Sequence, residues 1–330
     1  MTFRKKERIW VTFIKHIFKL VKKEFLYQYY AKTFLILFIP LMLISLWNVY
    51  SQYETTKSNY AQYVKTESEY KELGIDIKKA LTMPVNIEEG ELSGAEGEVV
   101  ENVLKYDYEK FIQSLHLMEP TQAISTNLEW MGFIFYPLVF GLYAIYLATY
   151  DVKYKTMKIK AVQYRWNDIM FSKQLSLYVI ILCLIPILSL ISYMASHIFY
   201  YVISKDISVQ LFTYKDSTEH SILLQLMFVV CTSWLFSTLV FYLGSICRSF
   251  ILSLVIYMVY FLLIPNLGAF DLKNMIANLA LHLFSFKGNY QLFMPISMNI
   301  TTILICISLL ICLSSLLTYT IAKRQSKYVV

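Results

Sequence analysis

Charged residues are scarce in this sequence, and they are absent from its longest apolar stretches. Only 16% of the 330 residues are Asp, Glu, Lys or Arg, whereas 57% are hydrophobic and the mean hydropathy is +0.50. A soluble protein of this length needs a polar surface, which such a composition does not supply. The composition therefore excludes an ordinary soluble protein and predicts a membrane protein.

The short motifs of several enzyme classes are missing as well. The sequence contains no GxxxxGK[ST] phosphate loop, no HExxH and no GxSxG, so we do not expect the chain to hold ATP phosphates or to act as a hydrolase. Its five histidines are scattered without the spacing of metal ligands. We predict no catalytic residue, no metal site and no cofactor in this chain.

Cysteine is present, but without the spacing of a metal cluster. All five cysteines lie within or at the ends of apolar stretches, and no CxxC occurs. We expect them to pack as small apolar residues, because a disulfide framework would place them in the polar loops.

Six apolar stretches carry the strongest structural signal. Most are close to the ~20 residues that an α-helix needs to cross ~30 Å of hydrocarbon. They predict an all-α polytopic membrane protein with six transmembrane helices, at residues 33–50, 130–150, 175–203, 222–247, 250–265 and 296–322.

The distribution of charge predicts how these six helices are oriented. One side of the membrane receives 19 of the 30 Lys and Arg residues but only 4 of the 23 acids. Because Lys and Arg are retained on the cytoplasmic side, we predict a cytoplasmic location for residues 1–32, 151–174 and 323–330. The opposite, extracellular side then carries residues 51–129, 204–221 and 266–295.

Residues 1–32 contain an amphipathic segment ahead of the first span. In RIWVTFIKHIFKLVKKEF, residues 8–25, apolar side chains recur at helical spacing, with Trp10, Phe13, Ile17 and Val21 among them. The lysines lie mainly on the opposite face, so the helix is expected to lie in the cytoplasmic headgroup layer. It would be either a simple anchor or an elbow that couples the first span to something at the membrane surface.

The acidic segment 51–129 is predicted to be a helical hairpin outside the membrane. Tyr53, Tyr60, Tyr63 and Tyr70 repeat at helical spacing, and a second apolar series follows between residues 100 and 115. The stretch MPVNIEEGELSGAEGE between them has the composition of a turn. A packing seam is the simpler explanation of the tyrosine series, and a ligand platform is the alternative.

A further apolar segment, residues 272–286, is too short for a full span. It has only 15 residues and includes Lys273 and His282. A segment of this kind suits a re-entrant or interfacial element, which must be buried against protein if it lies at membrane depth.

The predicted spans contain no Asp, Glu, Lys or Arg. Carriers driven by protons or ions commonly place an ionisable group in mid-membrane, so an ion-coupled carrier is disfavoured. If the chain moves a substrate uphill, the energy is expected to come from elsewhere.

The predicted cytoplasmic loop from residue 153 onward is basic and is expected to contain a short helix. A Lys, Lys173, lies at the mouth of span three in this stretch, which reads KYKTMKIKAVQYRWNDIMFSKQLSLYVI. A tight turn at Arg248 is expected between the fourth and fifth spans, in GSICRSFILSLVIYMVYFLLIP. The segment after the sixth span is basic and reads AKRQSK. In this layout the chain resembles an ABC transporter permease of type 2, the six-span exporter family. It departs from that family in its long acidic insertion and in lacking Gly and Pro in the basic loop.

The resemblance implies a bacterial plasma-membrane permease that works with separate subunits. Two copies of an ABC ATPase would bind ATP and Mg and hydrolyse the ATP, and a second permease chain, identical or related, would complete the pathway. The implied cargo is an amphiphilic molecule such as a peptide, an antibiotic or a lipid-like compound, moved outward. The residues implied in ATPase coupling are Thr156, Met157, Lys158, Val162, Trp166 and Asp168.

A different class of function fits the same residues. The chain would then be a non-transporting membrane sensor or scaffold, with an extracellular helical region that binds a ligand and a basic loop that recruits a partner. The basic clusters are explained by orientation and by membrane lipids, so we expect no binding to nucleic acid.

Overall fold

The computed structural model describes the backbone of residues 3–85, 87–92, 95–207, 209, 212, 214, 221–264, 266–286 and 294–326. Side chains are described for the same residues except 3–14, 87–92, 95–100, 158, 161 and 321–326. Within these ranges the chain is helical apart from one short β-hairpin and the connecting loops.

The elements follow one another along the chain as α1 (Phe3–Tyr30), α2 (Thr33–Glu72), α3 (Ile77–Thr82), β1 (Ile87–Leu92), β2 (Ala95–Val100), α4 (Val103–Leu117), α5 (Pro120–Trp130), α6 (Tyr136–Lys153), α7 (Met157–Gln163), α8 (Trp166–Asp206), α9 (Ile222–Cys247), α10 (Phe250–Met258), α11 (Leu272–Ala280) and α12 (Ile300–Ser326). A π-helical turn at Met131–Phe135 joins α5 to α6, and a second one at Val259–Leu263 extends α10.

Five helical segments of the described chain are long and apolar enough to cross a membrane. This agrees with a multi-pass membrane protein and confirms the helical fold class. The segments are Thr33–Glu72, Pro120–Lys153, Trp166–Asp206, Ile222–Cys247 and Ile300–Thr320.

The apolar stretch 250–265 forms a shorter helix than the other predicted spans. The segment Phe250–Leu263 has 14 residues, or about 21 Å of helix, against the ~30 Å of a bilayer core. The helix ends at Ile264, whose ψ of 109° is extended, as is typical of a residue that precedes a proline. Pro265 thus explains the length, and a sixth span is not shown.

The described chain forms two compact units, of which the first comprises Met1–Leu43, Leu128–Leu188 and His220–Val330. Its core is formed by α6, α9, α10, α11 and α12. A Cβ atom at Gly141 would lie 2.5 Å from the ring of Tyr257, and one at Gly244 would lie 2.9 Å from the Cβ of Ala148. The two glycines therefore permit the close approach of α6, α9 and α10, as small residues do in membrane bundles.

The second unit, Ile44–Asn127 and Ser189–Glu219, has an aromatic core. The rings of Tyr60 and Tyr63 on α2 lie 5.1 and 6.2 Å from the ring of Phe111 on α4. Beside them, the hydroxyl of Thr66 donates to the carboxylate of Asp107 at 2.6 Å, in a buried setting. Tyr60 and Tyr63 of the tyrosine series thus form a packing seam with α4.

The stretch between these helices is not only a turn, as its composition had predicted. Ile87–Leu92 pairs with Ala95–Val100 as an antiparallel hairpin in which Ile87 lies opposite Val100. Glu and Gly are depleted in strands and they dominate both segments, which explains why the strands were not recognised.

Helix α11 lies within the segment 272–286 and is anchored by buried amides. The side chain of Asn274 donates to the carbonyl oxygens of Ala269 and Ile296 at 2.9 and 3.1 Å, and its oxygen accepts from the Ile296 amide at 2.8 Å. Asp271 caps the helix by accepting from the amide of Lys273. Backbone groups near this short helix are therefore satisfied, as burial requires. A re-entrant path through the membrane is not shown.

Candidate functional site

A buried cluster of four charged side chains joins α1, α6, α7 and α8. The Nζ of Lys160 lies 3.0 Å from the carboxylate of Glu24 and 3.0 Å from that of Asp151. The Nζ of Lys173 lies 2.7 Å from the other oxygen of Asp151 and donates to the carbonyl oxygen of Leu147 at 2.7 Å. We call Glu24, Asp151, Lys160 and Lys173 the charge cluster.

The periodicity of α1 and the course of the chain from α6 to α8 bring the charge cluster together. On α1 the buried side chains recur at three- and four-residue steps, at Ile17, Val21, Glu24 and Gln28, so Glu24 lies on the face packed against the protein. Asp151 is in the last turn of α6. The loop that follows returns through α7 to α8, which brings Lys160 and Lys173 to the same carboxylate.

The charge cluster contains two acids and two bases, so its formal charges cancel. Burial alone would lower the pKa of Lys160, but the charges of Glu24 and Asp151 outweigh it and raise that pKa above its ordinary value. The amine therefore stays protonated near neutral pH. Buried ion pairs of this kind are costly to break, because removal of one partner leaves the other charge desolvated.

A neutral hydrogen-bond chain lies beside the charge cluster and joins three of the same helices. The amide of Gln28 donates to the hydroxyl of Ser176 on α8 at 3.0 Å. The oxygen of the same amide accepts from the hydroxyl of Tyr143 on α6. α1 is thus fixed to α7 through Glu24 and, one turn later, to α6 and α8 through Gln28.

The charge cluster anchors the short helix α7, which carries exposed apolar side chains on its outer side. Helix α7 follows Lys155, which has a φ of 56°, and Lys160 in its middle points into the cluster. On another face, Ile159 and Val162 are 69% and 88% exposed. Three residues apart on a helix, these two side chains are neighbours, and together they form an apolar face that a partner can cover. We call Ile159 and Val162 the α7 face.

The residues predicted for ATPase coupling lie in different environments. Among those with a described side chain, Val162 is the most exposed. Met157 and Trp166 are half-buried, and the side chain of Lys158 lies outside the described residues. Their role in coupling stays a prediction.

Two other predicted coupling residues have inward partners. The hydroxyl of Thr156 donates to the carboxylate of Asp151 at 2.6 Å, and Asp168 lies 3.8 Å from the Nε2 of His16 on α1. Thr156 therefore supports the charge cluster, and Asp168 connects the start of α8 with α1.

The residues predicted for the elbow lie in α1, which covers residues 3–30. Ile17 and Val21 are buried, whereas the side chains of Trp10 and Phe13 lie outside the described residues. Farther along α1, Lys23 donates to the hydroxyl of Tyr164 at 2.7 Å, and this hydrogen bond raises the pKa of Lys23. α1 therefore contacts the loop that carries α7.

Sequence reasoning missed Glu24, Asp151 and Lys160 as a set, and it did not select Ile159. One signal was available: Glu24 is one of only two acids in the basic segment 1–32, and it falls on the apolar stripe of the helix. That position is unfavourable for an acid unless a base meets it. The identity of that base depended on the tertiary fold.

Comparison with known proteins gives no match. No protein-family model, no curated protein and no solved structure matches this chain. Among the residues that the structure describes, no group of three or more His, Cys, Asp or Glu side chains is placed to hold a metal ion. The site is therefore interpreted from its own geometry, as an anchored helix with an exposed apolar face.

Proposed function

We propose that this chain is the membrane-spanning subunit of an ABC transporter, and that α7 transmits the movement of a separate ATPase subunit to the membrane helices. The observation that carries the proposal is the α7 face, held above the buried charge cluster. An exposed apolar pair suits the docking of a protein partner. Because the charge cluster links α7 to α1, α6 and α8, a force applied to α7 would reach all three helices.

The finer architecture belongs to the same proposal. Six spans, with Phe250–Leu263 as the short fifth one, place both termini and α7 in the cytoplasm of a bacterial cell, as the distribution of Lys and Arg favours. α1 then acts as the elbow helix at the plasma membrane, and residues 272–286 form a re-entrant or interfacial element. Residues 51–129 lie outside the cell.

The proposed transport cycle uses energy from outside this chain. Two ATPase subunits bind ATP and Mg and close on each other, and each moves one α7 of a permease pair made of identical or related chains. The absence of charge from the predicted spans supports an amphiphilic cargo, such as a peptide, an antibiotic or a lipid-like molecule, which the transporter exports.

The test is to purify the chain from its own host in mild detergent and to identify stoichiometric partners by mass spectrometry. Wild type is compared with Ile159→Asp and Val162→Asp, which place a charge on the α7 face without disturbing a buried contact. Leu73→Asp is the matched control, because the exposure of Leu73 is similar to that of Ile159 but Leu73 lies just beyond the far end of α2.

The proposal expects a soluble partner with a GxxxxGK[ST] loop that is lost from both α7-face variants and kept by Leu73→Asp. Retention of that partner by all three variants would exclude docking at the α7 face. A partner without the phosphate loop, or a chain that purifies alone and shows no nucleotide dependence, would favour the sensor or scaffold.

A further inference from the structure

An apolar cavity lies between the second half of α1, the start of α2 and the first half of α8. Its volume is about 380 Å³. Carbon-rich side chains form almost all of its wall, with Phe25 and Leu26 on α1, Phe34 on α2, and Val179 on α8 among them. Lys22 is the one charged side chain in the described lining.

The position of Lys22 gives the cavity a polar end. Lys15, Lys19 and Lys22 are all exposed, and their spacing of four and three residues places them on one stripe of α1. The same stripe continues through Leu26 and Tyr29, which border the cavity. Along its length α1 thus presents a basic section and then an apolar one.

The other charged groups of α1 from residue 15 onward, where the side chains are described, do not oppose this stripe. Glu24 is turned into the protein, where it pairs with Lys160. Lys23 is engaged with Tyr164, and His16 lies near Asp168. The described acids next to this part of α1 thus have basic partners, and the stripe above the cavity carries positive charge only.

We propose that this cavity binds one anionic phospholipid, with an acyl chain along Leu26 and Val179 and the phosphate held by Lys22 and Lys19. Hydrocarbon suits such a wall because each buried CH₂ contributes ~0.8 kcal/mol. Basic sites between membrane helices bind anionic headgroups, and one Lys near the surface contributes ~1 kcal/mol. The proposal does not depend on transport or on an ATPase.

The test is native mass spectrometry of the full chain in mild detergent, with phosphatidylglycerol and phosphatidylcholine of the same acyl chains added in equal amounts. Wild type is expected to retain one phosphatidylglycerol in preference to phosphatidylcholine. Lys22→Gln, a change at an exposed position, should lower that preference about fivefold, since ~1 kcal/mol corresponds to that ratio.

Two further variants separate the headgroup from the acyl chain. Lys15→Gln removes the same charge from the same stripe, but at a residue that does not line the cavity, and it should keep most of the preference. Cys183→Phe narrows the cavity and should reduce the retention of both lipids.

Equal retention of the two lipids by wild type would overturn the proposal, as would equal effects of Lys15→Gln and Lys22→Gln. Undiminished retention in folded Cys183→Phe would show that the lipid lies elsewhere. If Cys183→Phe does not fold, Leu26→Trp fills the same cavity from its exposed side, and the comparison of the two lysine variants decides the headgroup separately.

Discussion

The carboxylate of Asp151 lies 2.7 Å from the Nζ of Lys173, and the two side chains are 0% and 1% exposed. Water cannot replace either partner at that depth. This pair therefore fixes the end of α6 to the start of α8, and Lys160 on α7 shares the same carboxylate. The loop between α6 and α8 is tied to both of its neighbours by a single side chain.

Asp151→Asn is expected to destabilise the protein by about 3–5 kcal/mol, because it leaves the buried amine of Lys173 without a counter-charge. Thermal unfolding in mild detergent measures the loss. Asp168→Asn is the matched control, since the partner of Asp168 is a part-exposed histidine, and it should cost less than about 1 kcal/mol. Similar melting temperatures for the two variants would contradict the buried geometry.

The double variant Asp151→Asn/Lys173→Met should recover much of the stability that Asp151→Asn loses. It removes one acid and one base together, so Glu24 and Lys160 stay paired and no charge is left uncompensated. The measurement is a double-mutant cycle on the unfolding temperature or free energy. Additive losses from the two single variants would show that the residues do not interact.

Ile159→Asp and Val162→Asp are expected to leave stability within about 0.5 kcal/mol of wild type, as is usual for exposed positions. Ile169→Asp, only a few residues along the chain but buried, should prevent normal folding because it buries a charge without a partner. Detergent-stable yield and melting temperature report both results. A large loss from Val162→Asp would mean that its side chain is covered within the chain.

Gly141→Ala is expected to destabilise the first unit by about 1–3 kcal/mol, because the new methyl group would overlap the ring of Tyr257. The ring cannot move away freely, since its hydroxyl donates to the carbonyl oxygen of Pro137 at 2.6 Å. Thermal unfolding measures the effect. Tyr257→Leu makes room, so the pair Gly141→Ala/Tyr257→Leu should lose less than the sum of the single changes.

Glu129→Gln is expected to melt at or above the temperature of wild type. Glu129 is 2% exposed, and one oxygen of its carboxyl has no hydrogen-bond partner among the described residues. The other carboxyl oxygen accepts a hydrogen bond from the backbone of Phe286, and an amide oxygen can accept the same hydrogen bond. Glu129→Leu removes that acceptor and should cost about 1–3 kcal/mol. A higher melting temperature for Glu129→Leu than for Glu129→Gln would contradict this assignment.

Apolar periodicity predicted the helical fold because each long apolar stretch has no other way to satisfy its backbone in a membrane. It was less informative about where helices end. The stretch 33–50 belongs to a helix of 40 residues, Thr33–Glu72, because the tyrosine series beyond residue 50 continues the helical spacing without a break. The hairpin of β1 and β2 was missed for the opposite reason, since Glu and Gly conceal its alternation.

The candidate site was only partly predictable. A basic loop with apolar residues is visible in the sequence, and Val162 was chosen from it. Val162 is exposed, whereas Thr156 turns toward Asp151. This difference depends on the rotation of α7 about its own axis, which is set by the fold. Glu24 and Lys160 lie 136 residues apart, and no local pattern relates residues at such a separation.

Because charges cancel inside the charge cluster, Lys160 and Lys173 have one role during membrane insertion and another in the assembled protein. On the proposed topology, both amines are free cations before α1, α6, α7 and α8 have packed together, and they would contribute to the retention of their loop on the cytoplasmic side. Once the helices assemble, the same two charges are neutralised by Glu24 and Asp151 and no longer face the lipid headgroups. Lys160 and Lys173 therefore no longer add to the positive charge of the loop once the helices have assembled.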